Sequence, residues 1–278
     1  HFVKMIHNGM EYGDMQLISE AYFVMRRLLE ASNEEMAAYF ATWNEGKLKS
    51  YLIEITSLIL KHKDADGEYL IDKILDTAGQ KGTGKWSVIN AMELGMPLNL
   101  IATAVFERSL SARKELRVEA SHIYHRESSE KTYVADELIK DIYHSLYASK
   151  LISYAQGFNV LKQASEEFGW KLNLASIAHL WRGGCIIRSA FFYYIAKAFE
   201  EDRHLANLLL APYFKNEIVT SLPFWKRLIA VAVKEELPVP AFSSALNYFY
   251  SLTTDNLPAN LVQAQRDYFG AHTFERID

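Results

Sequence analysis

Residues 1–16 read HFVKMIHNGMEYGDMQ, and this stretch decides how the rest of the chain is interpreted. If it is helical, its polar residues follow the spacing i, i+3, i+4, i+7 and i+8, and therefore share one face. These residues are Lys4, His7, Asn8, Glu11 and Tyr12. Lys4 and Glu11 would lie about 10 Å apart along the helix axis. That separation is too long for a direct ion pair, but it leaves room for a small molecule between an amine and a carboxyl group.

Apolar side chains flank this polar face and cover most of the circumference of the predicted helix. They are Phe2, Val3, Met5, Ile6, Met10 and Met15. A surface helix normally has only one apolar face, so we expect the polar face to be lined by protein rather than by bulk water. An amine and a carboxyl group in such surroundings are candidates for shifted pKa values. A buried helix held by salt bridges would show the same pattern, and this alternative stays open.

Gly9 and Gly13 lie inside the same predicted helix, where each costs about 1 kcal/mol relative to alanine. Two glycines four residues apart indicate close approach by another helix or by a ligand. For Gly13, a helix crossing explains the pattern at least as well as a ligand does.

Composition and charge restrict the class of protein. The chain has 278 residues, half of them apolar, and a formal net charge of −4. This composition supports a sizeable core and disfavours a nucleic acid or an anionic membrane as a partner. The single cysteine, Cys185, excludes an internal disulfide and suits a reducing compartment such as the cytoplasm. The sequence shows no apolar run long enough for a transmembrane helix and no signal peptide.

Helical periodicity dominates the sequence, and no stretch alternates cleanly with a period of two. We therefore predict an all-α fold. Ser32 and Glu35 have the spacing of a capping box at the start of one helix. Beyond the opening stretch, the predicted helices cover residues 36–43, 48–60, 69–75, 86–94, 98–119, 133–168, 174–180, 186–201, 215–219, 225–236, 241–252 and 261–269.

A short internal repeat predicts that the fold consists of two similar multi-helix halves from an internal duplication. The motif L-I-S-x-A occurs at residues 17–21 and 151–155, and each copy is followed by W-x-x-G, at 43–46 and 181–184. A chance match stays an alternative because the motifs are short. The polar face is not duplicated, since at the same offset Glu11 aligns with Ser145 and Lys4 with Leu138. We therefore assign the chemistry to the first half.

The run K-M-x-H-N-G-x-E-Y-G-D-M-Q, residues 4–16, resembles the signature of the decarboxylating 6-phosphogluconate dehydrogenases. The resemblance continues to Arg266 and His272 and covers nearly the whole chain. It implies that residues 1–278 form an all-helical substrate-binding and dimerisation domain. It also implies the activity of the family, which is oxidative decarboxylation of 6-phospho-D-gluconate to D-ribulose 5-phosphate and CO2, with reduction of NADP, in the pentose phosphate pathway.

Family members also carry an amino-terminal Rossmann domain that binds NADP, and a carboxy-terminal tail that reaches into the partner subunit. This chain starts at His1, ends at Asp278 and has no G-x-G-x-x-G motif after a strand-like run. We therefore expect it to begin inside a longer protein and to lack both the NADP-binding domain and the tail. Little or no oxidation is expected from this piece alone.

The resemblance implies that Lys4 is the general base, that Glu11 is the general acid and that no metal is needed. Lys4 would take the proton of the 3-hydroxyl group while hydride leaves carbon 3 for NADP. After loss of CO2, Glu11 would protonate carbon 1 of the enediol. A free lysine has a pKa of about 10.4, so burial would have to lower the pKa of Lys4. An acid at neutral pH requires a raised pKa of Glu11.

The resemblance also assigns substrate contacts. His7 and Asn8 would hold the sugar acid near carbons 1 to 3, and Tyr12, Lys81 and Arg108 would contact its phosphate. Lys81 lies in a Gly-rich turn ahead of a helix, and free N–H groups in such a turn suit an anion. The turn is not a Walker motif, because its glycine spacing differs.

Each of these residues has a plainer explanation that stays open. A histidine on a helix is often structural, and the turn at residues 79–84 could be an ordinary helix entry. Arg108 could form a surface ion pair with Glu107 or Glu115.

Arg266 and His272 match the segment that family members insert into the site of the neighbouring subunit. A bidentate arginine suits a phosphate group. The resemblance therefore implies a homodimer in which each site is completed by Arg266 and His272 of the other protomer. Without it, a surface arginine paired with an acid and a solvated histidine would be the better explanation.

One spacing in the sequence is typical of metal ligands. His122 and His125 stand three residues apart, with Glu119 one turn earlier. No cysteine pair or second histidine pair joins them, so an ordinary helix end explains them better and we predict no metal.

Two other functions stay open. One is a related 3-hydroxyacid dehydrogenase domain, which also uses a lysine in a helical domain. The pair Glu11 and Tyr12 and the predicted phosphate contacts argue against it. The other is a non-catalytic helical dimerisation module, whose polar face would be a buried ion-pair network. If this alternative holds, no ligand is expected to affect the stability of the chain.

Overall fold

A computed structural model describes residues 1–124 and 133–278. These residues form helices and no sheet, which confirms the all-α prediction. The helices are α1 (Phe2–Leu28), α2 (Asn33–Trp43), α3 (Tyr51–Lys61), α4 (Thr83–Glu93), α5 (Asn99–Ser111), α6 (Lys114–Ile123), α7 (Ala135–Glu167), α8 (Leu174–Trp181), α9 (Phe192–Glu201), α10 (Pro212–Lys234), α11 (Pro240–Leu252) and α12 (Ala259–Gly270), with 3-10 helices at Leu70–Lys73 and Leu208–Leu210. None of the described helices combines the length and the apolar composition needed to cross a membrane.

The fold is organised around α1 and α7, its two longest helices. α1 packs against α4, α5, α7 and α11, and two residues of its polar face, His7 and Tyr12, are buried. Both glycines of α1 lie at helix crossings: a Cβ atom at Gly9 would lie 2.7 Å from Ser87 Oγ on α4, and one at Gly13 would lie 2.7 Å from Ser153 Oγ on α7. The helix-crossing explanation of Gly13 is therefore confirmed.

Several boundaries follow the sequence patterns closely. The long helix predicted at 133–168 is α7, and Ser32 and Glu35 form the predicted capping box at the start of α2. The two W-x-x-G motifs begin at the last residues of α2 and α8, Trp43 and Trp181. The duplication itself stays a prediction.

Other predicted boundaries are wrong. The helix at 98–119 is broken at Arg113, where the backbone leaves the helical region and Arg117 donates to the carbonyl oxygen of Ser111. The segments 215–219 and 225–236 form one helix, α10, which continues through Pro223. The helix predicted to begin at 186 begins at Phe192, because residues 188–190 are held in extended pairing with residues 49–51.

Candidate functional site

The polar face of α1 places its two proposed acid–base groups in different surroundings. Glu11 is half-buried, and burial raises the pKa of its carboxyl, with a smaller opposing effect from the Arg108 cation. Lys4 is exposed, so the expectation that apolar neighbours bury it is wrong. Lys4 lies in the first turn of α1, where Phe2, Val3 and Met5 are themselves only half-buried.

Arg108, on α5, lies against α1 rather than against the acidic residues near it in sequence. Its Cζ atom lies 3.5 Å from the centroid of the Tyr12 ring, a cation–π contact. Its guanidinium also donates to the carbonyl oxygen of Gly79 at 3.3 Å. Among the described residues it forms no ion pair with Glu107 or Glu115, so that explanation is wrong. Burial lowers the pKa of Arg108, but an arginine remains cationic at neutral pH.

The Gly-rich turn meets the same part of α1. Gly84, in the first turn of α4, packs so tightly on Tyr12 that a Cβ atom there would lie 2.5 Å from Tyr12 Cδ1. Gly82 precedes α4 with φ of 94°, a left-handed conformation that favours glycine. Lys81 is exposed beside it. The fold thus brings Tyr12, Arg108 and the turn that carries Lys81 together, a basic arrangement around one aromatic ring.

His7 is a buried, neutral hydrogen-bonding group. Its Nδ1 atom lies 3.1 Å from Asn8 Oδ1, and its ring packs edge-on against Trp181 with centroids 5.3 Å apart. Burial lowers the pKa of His7, so the ring is neutral at pH 7. With Nδ1 donating to Asn8, Nε2 is left as an acceptor, and it is buried without a protein partner among the described residues. A buried acceptor of this kind suits a ligand hydroxyl group.

Within this chain, Arg266 and His272 contact residues of their own segment. Arg266, on α12, donates to Gln263 Oε1 at 3.0 Å, and His272 packs edge-on against Phe269. None of residues 251–278, all of which the structure describes, is buried. Tyr268, Phe269 and Phe274 are between 57% and 96% exposed. The segment is thus an apolar arm that this chain leaves uncovered.

Only two of the three possible metal ligands lie within the described residues. His122 and Glu119 lie on α6, and His125 lies outside the described residues. Within residues 1–124 and 133–278, no group of three or more histidine, cysteine, aspartate or glutamate side chains is arranged to hold a metal ion.

Sequence reasoning missed a buried charged group beneath the polar face. Lys150 Nζ on α7 lies 2.7 Å from Asp14 Oδ2 on α1, and both side chains are essentially inaccessible. The only signal in the sequence is a lysine inside the apolar run around residues 145–155 of α7.

Comparison with known proteins gives consistent matches along the whole chain. The family model described as 6-phosphogluconate dehydrogenase, C-terminal domain, matches residues 1–278. The decarboxylating 6-phosphogluconate dehydrogenase of Mus musculus is 53% identical over 283 residues, which is 100% of this chain and 58% of that protein. Enzyme 1 of that name from Saccharomyces cerevisiae is 52% identical over 276 residues, covering 99% of this chain and 56% of that protein.

A solved structure also superposes on the whole chain. It is a Plasmodium falciparum 6-phosphogluconate dehydrogenase, studied in its apo form, in complex with its cofactor NADP+ and in complex with its substrate 6-phosphogluconate. The TM-score is 0.97 at 48% identity, with 100% of this chain and 60% of that chain covered. This chain therefore spans little more than half the length of its relatives.

Proposed function

We propose that this chain, which belongs to the 6-phosphogluconate dehydrogenase family as its C-terminal domain, supplies the substrate-binding and acid–base half of the decarboxylating enzyme. The proposed reaction converts 6-phospho-D-gluconate to D-ribulose 5-phosphate and CO2 and reduces NADP. The observation that carries the proposal is a half-buried carboxyl, Glu11, on the same helical face as Tyr12, over which the Arg108 cation is stacked.

NADP, bound mainly by a domain outside residues 1–278, would accept the hydride from carbon 3. The described residues contain no strand–turn–helix unit of the kind that binds dinucleotides, so we assign the cofactor site to that other domain. No residue of this chain is proposed to hold a metal.

Lys4 and Glu11 divide the proton transfers. Lys4 accepts the proton of the 3-hydroxyl group as carbon 3 is oxidised. When the bond to the carboxylate breaks and CO2 leaves, the 3-keto group takes up the electron pair, and Lys4 returns its proton to the keto oxygen to give the enediol. Glu11 then protonates carbon 1 of the enediol while the hydroxyl proton passes back to Lys4, which gives the ketose. The raised pKa of Glu11 supports this role, since a proton must be available near neutral pH. Because Lys4 is exposed in this chain, we propose that substrate and the cofactor domain cover it.

The opposite end of the substrate would be held by cations. Arg108 and Lys81 supply positive charge, and Tyr12 supplies a hydroxyl group beside them, which together suit a phosphate dianion. His7 Nε2 is an acceptor for a sugar hydroxyl group, and Asn8 orients the histidine ring.

We further propose a cytoplasmic homodimer in which Arg266 and His272 complete the site of the other protomer. The exposed apolar arm at residues 251–278 supports this, because Tyr268, Phe269 and Phe274 remain uncovered in a single chain.

Titration calorimetry with 6-phosphogluconate and gluconate tests the substrate assignment on this chain. We expect binding that needs the phosphate group and that weakens at least about tenfold in Arg108→Ala. Arg113→Ala, an exposed arginine at the break between α5 and α6, is the matched control. Equal binding of both ligands would favour a different 3-hydroxyacid substrate. No binding by the assembled dimer, and no rise in its melting temperature with ligand, would favour a non-catalytic assembly module.

A further inference from the structure

A buried ion pair lies one turn beyond Glu11, and the reaction proposed above does not use it. Asp14 and Lys150 are 1% and 0% exposed, with Lys150 Nζ 2.7 Å from Asp14 Oδ2. Tyr154 is fully buried one turn after Lys150 on α7, and it donates to the same carboxylate oxygen at 2.7 Å. A charge pair and a directed hydrogen bond therefore join α1 to α7 at one carboxylate.

Stability alone is a poor explanation for this network. Apolar residues of similar volume often stabilise a core as well as a buried ion pair or better, because two charges must lose their hydration. The network is also incompletely paired. Among the described residues, Asp14 Oδ1 and the hydroxyl groups of Ser149 and Ser153 on α7 are buried without hydrogen-bond partners. Such a network gives up stability and fixes the relative placement of two helices.

That placement bears directly on the candidate site. Asp14 follows Glu11 by three residues and His7 by seven. The three side chains therefore lie on the same face of α1, in adjacent turns. A rotation of α1 that moved Asp14 away from Lys150 would also move Glu11 relative to Arg108, which is on α5. The Tyr154 hydroxyl group further lies 3.4 Å from the carbonyl oxygen of Ile187, in the loop that follows α8.

We propose that Asp14, Lys150 and Tyr154 are positioning residues that fix the rotation of α1, so that Glu11 and His7 face the substrate. They act through Glu11 and His7 rather than on the substrate. The inference rests on the proposed function of Glu11 as the acid.

The test is Tyr154→Phe in the enzyme that includes the NADP-binding domain. We expect kcat to fall about tenfold, because small misplacements of catalytic groups are costly. KM for 6-phosphogluconate should change by a smaller factor than kcat, because Arg108 and Lys81, two of the proposed phosphate contacts, lie outside α1 and are not carried by its rotation. The matched control is Tyr147→Phe: Tyr147 is also a buried tyrosine of α7, but its hydroxyl group pairs with Tyr213 at 2.7 Å. Tyr147→Phe should lower the melting temperature about as much as Tyr154→Phe does and leave kcat unchanged.

The outcomes separate the two proposals. An inactive wild-type enzyme would refute the proposed function and the positioning role together. With an active wild type, equal kcat values for Tyr154→Phe and Tyr147→Phe would refute the positioning role alone. If Tyr154→Phe does not fold, the double variant Asp14→Asn with Lys150→Met removes the ion pair without leaving a charge unpaired. A folded double variant with wild-type kcat would equally overturn the inference.

Discussion

Replacing Glu20 with glutamine should remove a large part of the pH dependence of the stability of this chain. Glu20, on α1, caps the start of α11 from 221 residues away: its Oε1 and Oε2 atoms accept the N–H groups of Ala241 and Phe242 at 2.8 and 3.0 Å. Gln16 adds a side-chain hydrogen bond at 3.0 Å. Burial raises the pKa of Glu20 to about 7 despite these hydrogen bonds.

The sign and size of the effect follow from that shift. The ordinary pKa of a glutamate carboxyl is 4.5, and the pKa of Glu20 is about 7 in the folded chain, so the folded state binds the proton more tightly than the unfolded state does. The stability that this tighter proton binding adds to the folded state is fully present below the unfolded pKa. It is lost as the pH rises through the folded pKa. A shift of this size corresponds to about 3 kcal/mol.

Urea unfolding of wild type and Glu20→Gln, followed from about pH 4.5 to about pH 8, measures this contribution. The wild-type free energy of unfolding should fall by about 3 kcal/mol relative to that of the variant over this range. Glutamine also leaves one α11 N–H group without an acceptor, a cost that does not depend on pH. Glu93→Gln, at an exposed position of α4, is the control and should leave the slope unchanged. If the difference in free energy of unfolding between wild type and Glu20→Gln stays constant with pH, the raised pKa of Glu20 is refuted.

Four further substitutions test separate parts of the structure. Lys4→Ala and Glu11→Gln should each lower kcat at least about 100-fold in the enzyme that includes the NADP-binding domain, and near-normal turnover in steady-state assays would contradict their roles. Gly84→Ala should destabilise the chain by about 1–3 kcal/mol, because the new methyl group displaces the Tyr12 ring. The same displacement should weaken 6-phosphogluconate binding in calorimetry. Unchanged affinity would show that the contact between Gly84 and Tyr12 is not needed. Ser32→Ala should lower the free energy of unfolding by about 1 kcal/mol through loss of a capping hydrogen bond, with substrate affinity unchanged; a loss of affinity would contradict a purely local role.

Local patterns predicted the fold class and most helices, because helical periodicity and capping depend on residues close together in the chain. The wrong boundaries lie at three places, and a contact between residues far apart in the chain decides one of them. Arg113 ends a helix that the pattern continues, and Arg117 fills a backbone acceptor there. Pro223 lies within α10, where the sequence left a gap between two helices. The start of α9 is displaced to Phe192 by pairing with residues 49–51.

The sequence by itself determined which side chains of α1 share a face, since the spacing of Lys4, Glu11 and Tyr12 on a helix is set by backbone geometry. The resemblance in residues 4–16 predicted the family, which the comparisons show. Only the tertiary structure decided that Glu11 is half-buried while Lys4 is exposed, and that Asp14 is paired with Lys150. Burial and charge pairing depend on which distant helices pack against α1, and the spacing of residues within one helix does not contain that information.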